Sequence, residues 1–120
     1  MLGPIYLNTV QQKVVKFSKD WPLCVFNNTV PKIVIIITSN AENIELRNAQ
    51  REAFPSDFLW REFQALRYFL IAQKEDFFVM EKVIKENDII LGDFNESYKH
   101  LTWKHLMGLS FVVNWCSNQR

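Results

Sequence analysis

Lys32-Ile33-Val34-Ile35-Ile36-Ile37-Thr38-Ser39-Asn40 is a β-branched run without polar alternation. Such a run predicts a strand buried on both faces, as in a parallel sheet. Pro22 and Pro31 bracket a turn-like stretch ahead of it. Behind it, Ser39 and Asn40 offer helix caps, and Glu42 to Phe54, rich in Glu, Arg, Gln, Ala and Leu, predicts a helix stopped by Pro55. Ser56 to Arg67 reads either as a helical turn or as an ordered loop. Tyr68 to Ala72 predicts a second short strand. Glu75 to Glu86 predicts an amphipathic helix, with Phe78, Val79, Val83 and Ile84 near the 3.6 period. Asp88 to Leu91 predicts a third strand. Asn95 or Ser97 can cap a final helix carrying Leu101, Leu106, Leu109, Val112, Val113 and Cys116. That helix is apolar around most of its circumference, so it is expected between layers. Without further strands to cover it, it would expose an apolar face.

The order β-α-β-α-β-α predicts an α/β fold, a Rossmann-like half-sheet with right-handed crossovers. Residues 1–31 are expected to form an irregular N-terminal extension and residues 32–120 the α/β unit. The chain has 120 residues and a formal net charge of +1, which excludes a general nucleic-acid binder with a strongly basic face. Aromatic residues make up 14%, which excludes a disordered chain. No unbroken apolar run is longer than Ile33 to Ile37, so no membrane span is expected, and Met1 to Asp20 lacks the apolar core of a signal peptide. Cys24 and Cys116 read either as one long-range disulfide in an oxidising compartment or as two buried thiols in a reducing one. Asn27-Asn28-Thr29 and Asn95-Glu96-Ser97 are glycosylation sequons, meaningful only in the secretory pathway.

Ligands of open parallel sheets sit beyond the carboxyl ends of the strands. That rule selects Thr38, Ser39 and Asn40 after the first strand, and Gly92, Asp93 and Phe94 after the third. No glycine-rich dinucleotide fingerprint or P-loop follows the first strand, which removes support for ordinary NAD and ATP sites. The helix starting near Asn43 can meet a phosphate through its free N–H groups. Arg47 and Arg51, four apart, share a helix face. Two guanidinium groups there suit a diphosphate, and the alternative is a solvated face paired locally with Glu45 and Glu52. Asp93 can grip a ribose hydroxyl or simply end a strand. Tyr98 and Lys104 read as boundary and solvated residues. His100 and His105 are five apart, not the spacing of paired helical metal ligands. No Asp-x-Asp pair and no nucleophile–His constellation is present.

Two stretches carry more than generic information. Arg47-Asn48-Ala49-Gln50-Arg51-Glu52-Ala53-Phe54 resembles the Arg-x-x-x-Arg-x-x-Trp motif of the β-1,3-galactosyltransferase-like family (glycosyltransferase family 31). Asp93-Phe94-Asn95-Glu96-Ser97-Tyr98-Lys99-His100-Leu101-Thr102-Trp103-Lys104 resembles its block Asp-Phe-x-Asp/Glu-Ser-Tyr-x-x-Leu-Thr-x-Lys. The similarity runs over about residues 32–116. It implies the nucleotide-binding half of a GT-A glycosyltransferase domain: a hexosyltransferase moving a sugar from a UDP-sugar to a glycan acceptor, β-1,3-linked and with inversion. It also implies Mn²⁺ and a Golgi membrane location. Under this resemblance Thr38, Arg47, Arg51, Asp93 and Lys104 are the nucleotide-sugar-binding candidates. Phe54 stands where the family usually has Trp, and Gly92 replaces a frequent acidic residue. The family's Asp-x-Asp metal motif and its catalytic base fall beyond Cys116, so these 120 residues alone are expected to be inactive. A non-catalytic remnant that binds nucleotide sugar or a partner is the alternative, and an unrelated flavodoxin-like interaction module is the third reading.

Overall fold

A computed structural model describes residues 17–116. Residues 1–16, which form the first part of the expected extension, lie outside the described residues, as do residues 117–120. The elements are β1 (Ile33–Thr38), α1 (Ile44–Ala53), α2 (Ser56–Phe63), β2 (Ala65–Gln73), α3 (Phe77–Val83), β3 (Ile89–Asn95), a 3₁₀ turn (Tyr98–His100) and α4 (Leu101–Trp115). The strands form one parallel sheet in the order β1-β2-β3, with Ile33 beside Ala65 and Phe69 beside Ile89. This is the Rossmann-like half-sheet that the element order predicts.

Period-two alternation splits the core into two layers. On one face Phe69, Ile71, Ile89 and Leu91 pack with Met80 and Val83 of α3 and with Ala41. On the other, Tyr68, Leu70 and Ile90 pack with Met107 and Phe111 of α4 and with Cys24. Gly108 makes the second contact possible: a Cβ there would stand 2.9 Å from Leu70 Cδ1. Gly92 is similarly constrained, because a Cβ would meet the Phe94 ring at 2.7 Å and Met107 Sδ at 3.0 Å.

Several boundaries differ from expectation. The strand buried on both faces is β2, whereas β1 is a half-buried edge. β1 pairs on one side only, so its apolar run lies along the sheet margin. The ambiguous stretch resolves into helix α2 followed by the start of β2. Gln64 makes that reversal with φ 51°, the left-handed conformation of a helix C-cap, and its N–H donates to the carbonyls of Leu59 and Trp60. Its side chain also donates to the Val30 carbonyl. Helix α3 is shorter than expected. Asp76 caps it by accepting from the N–H groups of Phe78 and Val79. It ends in tight bonds from Lys85 to Lys82 and from Glu86 to Val83. Neither Asn95 nor Ser97 supplies a side-chain cap to α4. Helix α4 is not enclosed between layers: Met107, Gly108 and Phe111 face the sheet, while Leu106 and Leu109 are exposed.

Residues 17–24 run antiparallel to the strands, starting against α3, where Phe17 packs on Phe77 and Lys19 donates to the Ile84 carbonyl, and reaching the α4 side at Trp21 and Cys24. Their two ends are tied differently. At the carboxyl end of the sheet, buried Gln73 donates to the carbonyls of Phe17 and Gly92 and accepts from Phe17 N–H. At the amino end, Cys24 is disulfide-bonded to Cys116, which closes the alternative that sequence left open. Tyr68 donates to the Leu23 carbonyl at 2.8 Å beside it.

Candidate functional site

The carboxyl end of β1 runs into a loop, Ser39–Ala41, held from both faces of the sheet by buried cations. From the α1 side comes Arg47, 1% exposed. Its Nη1 donates to Ser39 Oγ at 3.0 Å and to the Asn40 carbonyl at 2.7 Å. Its Nη2 donates to the Ala41 carbonyl at 3.0 Å and to Glu86 Oε2 at 2.7 Å, and its Nε donates to Glu86 Oε1 at 2.8 Å. All five N–H bonds of the guanidinium are thus used, two of them in a fork onto one carboxylate. From the α4 side comes Lys104, 3% exposed, whose Nζ donates to the Ser39 carbonyl and to Glu96 Oε1, each at 3.0 Å. Ser39 is therefore gripped by its hydroxyl from one face and by its carbonyl from the other.

Arg51 extends the network by one helical turn, donating to Glu86 Oε1 at 2.6 Å and to both oxygens of Asp88 at 2.6 and 3.0 Å. Its guanidinium carbon lies 5.0 Å from the centre of the Phe69 ring. Burial opposes the charge on Arg51, but the hydrogen bonds to Asp88 and Glu86 outweigh it and raise its pKa. Burial likewise opposes ionisation of Glu86. The hydrogen bonds from Arg47 and Arg51 win there too, and hold it below the ordinary carboxyl value. Arg67, on β2 below, donates to the carbonyls of Gln50 and Phe54 at the end of α1. Its Nε is buried without a partner, and burial lowers its pKa.

The structure brings Thr38, Arg47 and Lys104 together around one loop and joins Arg51 to it through Glu86. The solvated face paired with Glu45 and Glu52 is not formed, because the arginine partners come from the α3–β3 connection. Lys104 is buried rather than solvated. Asp93 stands exposed on β3. Thr38 lines open clefts on both sides of the sheet edge, each of about 420 Å³. One includes Asn43, Leu46 and Phe54; the other includes Leu70, His105 and Leu109. Asn43, which lines the first cleft at the start of α1, makes no side-chain capping bond to the first N–H groups of that helix. Sequence reasoning selected Ser39 but missed Glu86 and Asp88, which lie far in sequence from their arginines. Glu96 was visible only as a member of the second block and of the second sequon.

These two blocks now have a structural role, since each delivers one cation to the Ser39 loop. The galactosyltransferase family model matches residues 45–120. The chain belongs to the galactosyltransferase family. It is 30% identical over 95 residues to beta-1,3-galactosyltransferase 1 of Mus musculus and of Homo sapiens, covering 76% of this chain and 29% of each relative. It is 31% identical over 97 residues to UDP-GalNAc:beta-1,3-N-acetylgalactosaminyltransferase 1 of Homo sapiens, covering 75% and 29%. The chain thus spans about three tenths of the length of these relatives. The galactosyltransferase family is consistent with a divalent metal. Among the described residues, however, no three His, Cys, Asp or Glu side chains gather to hold one. Glu86, Asp88 and Glu96 are each paired with a cation, so the described donor set does not fit a metal site.

Proposed function

We propose that this galactosyltransferase-family chain forms the donor side of a hexosyltransferase fold, holding a UDP-sugar at the carboxyl edge of β1. The observation that carries this reading is the double clamp on Ser39–Ala41. A loop fixed by two buried cations gives Thr38 and the uncapped start of α1 a defined position before any ligand arrives. In this reading Thr38 and Asp93 face the nucleotide sugar, while Arg47, Arg51 and Lys104 act as positioning residues. Arg47 has no N–H left to offer a diphosphate, and Lys104 has one N–H beyond its two bonds. The acceptor is a glycan and the new bond a β-1,3 linkage, by family. The Cys24–Cys116 disulfide supports an oxidising compartment, in keeping with the Golgi membrane location proposed from the family, whereas Mn²⁺ dependence is proposed from the family alone.

A second reading has its own support. The sequence contains no Asp-x-Asp pair, and the carboxylates beside the clamp are committed to cations. On their own, the 120 residues are therefore proposed to bind donor without transferring it. Calorimetry with UDP tests the shared claim, and saturable heat is expected. No heat would remove both readings. Turnover of a UDP-hexose with Mn²⁺ and a glycan acceptor would remove the second.

A further inference from the structure

The two sequons occupy opposite ends of the sheet. Asn27 belongs to a two-residue hairpin turn closed by reciprocal bonds, Phe26 N–H to the Thr29 carbonyl at 2.9 Å and Thr29 N–H to the Phe26 carbonyl at 3.0 Å. Asn27 and Asn28 take φ values of 53° and 61°, the pair of left-handed residues such a turn requires and that Asn tolerates. The hairpin is anchored by Phe26, whose ring centre lies 5.0 Å from that of Trp60 on α2. Its apex, Asn27 and Asn28, is exposed. Thr29 Oγ1 donates to the backbone carbonyl of Asn27, not to its side chain. The hairpin precedes β1 and lies at the amino end of the strands. The clamp on Ser39 lies at the other end, about 20 Å away along a six-residue strand.

Asn95 is placed differently. It ends β3 beside Gln73, its carbonyl lies 2.8 Å from His100 Nδ1, and the next residue, Glu96, is bonded to Lys104. Ser97, whose hydroxyl completes that sequon, has its Oγ buried without a partner. A glycan on Asn95 would stand beside the clamp.

We propose that Asn27 is an N-glycosylation site. The proposal rests on the secretory part of the reading above. The Asn27 side-chain nitrogen attacks the anomeric carbon of an oligosaccharide carried on a polyprenyl diphosphate. The carbon–oxygen bond to the diphosphate breaks, the nitrogen loses a proton to a base of the oligosaccharide transferase, and the lipid diphosphate departs. The native fold accommodates the product because the apex of the hairpin is exposed and far from the candidate donor site.

Translation of residues 1–120 behind a cleavable signal sequence, with endoplasmic-reticulum microsomes, tests this without requiring the native address. The expected result is a band shift collapsed by peptide-N-glycosidase, with Asn27 converted to Asp on release. Asn27→Gln should abolish the shift assigned to this site, Thr29→Ala should abolish the conversion at Asn27, and Asn95→Gln should leave it intact. Thr29→Ser should retain it, since the hydroxyl survives. A translocated chain with Asn27 unmodified, or a conversion at Asn27 that survives Thr29→Ala, would overturn the proposal. A glycan at Asn27 supports it whatever UDP calorimetry returns, so the two readings fail separately.

Discussion

The amino and carboxyl ends of the sheet are held by different chemistry. At the amino end, a disulfide between Cys24 and Cys116 and the buried Tyr68 hydroxyl fasten the N-terminal segment to the end of α4. At the carboxyl end, charged side chains hold a short loop against open clefts. Covalent and apolar contacts tolerate no water and need none. Ion pairs hold a backbone in place while leaving polar surface beside it for a charged ligand. The difference teaches that the amino end secures the fold, whereas the carboxyl end fixes a geometry.

The largest expected effect comes from breaking the amino end. The disulfide joins residues 92 apart, and the chain-entropy account gives such a loop about 4–5 kcal/mol. Cys24→Ser with Cys116→Ser should lower the urea midpoint sharply while leaving UDP heat measurable under conditions where the chain stays folded. Next is Arg47→Ala, which leaves Glu86 with Arg51 as its one cation and removes the donors to Ser39, Asn40 and Ala41. It should cost about 3–5 kcal/mol in chemical denaturation, and Arg47→Lys should recover only part, because an ammonium cannot make the fork. Lys104→Met should cost less, about 1–3 kcal/mol, since Glu96 is 27% exposed and can be rehydrated. It should, however, weaken UDP binding more than its stability cost suggests, if the Ser39 carbonyl sets the loop.

pH separates the two ends most cleanly. Glu86 has a folded pKa below its ordinary 4.5, so its contribution is complete above that value and is lost as pH falls through the lower folded value. Thermal melts below about pH 4.5 should therefore lose stability, and Glu86→Gln should flatten that loss. Tyr68 behaves oppositely. Burial pushes its pKa from 10.0 up to about 12, so its stability is complete below about pH 10 and is lost as pH rises toward 12. Tyrosinate absorbance should report the loss at the amino end, and Tyr68→Phe should remove that component.

Sequence carried the topology well, because each strand announced itself as an apolar cluster between helix-forming segments. It misjudged which strand is buried on both faces. β2 contains Arg67, Tyr68 and Gln73, each of which reaches a partner inside the fold, so polar residues flank an apolar run no longer than that of edge strand β1. The second block led to Lys104, and helical spacing put Arg47 and Arg51 on one face. What they touch was not legible. Glu86 and Asp88 lie 35 to 39 residues away from their arginines, and only the α3–β3 connection brings them back. The disulfide was one of two open readings, since residues 92 apart give no local clue to their distance.

Hydrogen–deuterium exchange of residues 1–120 with and without UDP tests the central claim most directly. The account predicts slower exchange in the Ser39 loop and the first turn of α1, with the hairpin around Asn27 unchanged. Protection confined to the amino end, or none at the Ser39 loop while UDP is bound, would contradict it.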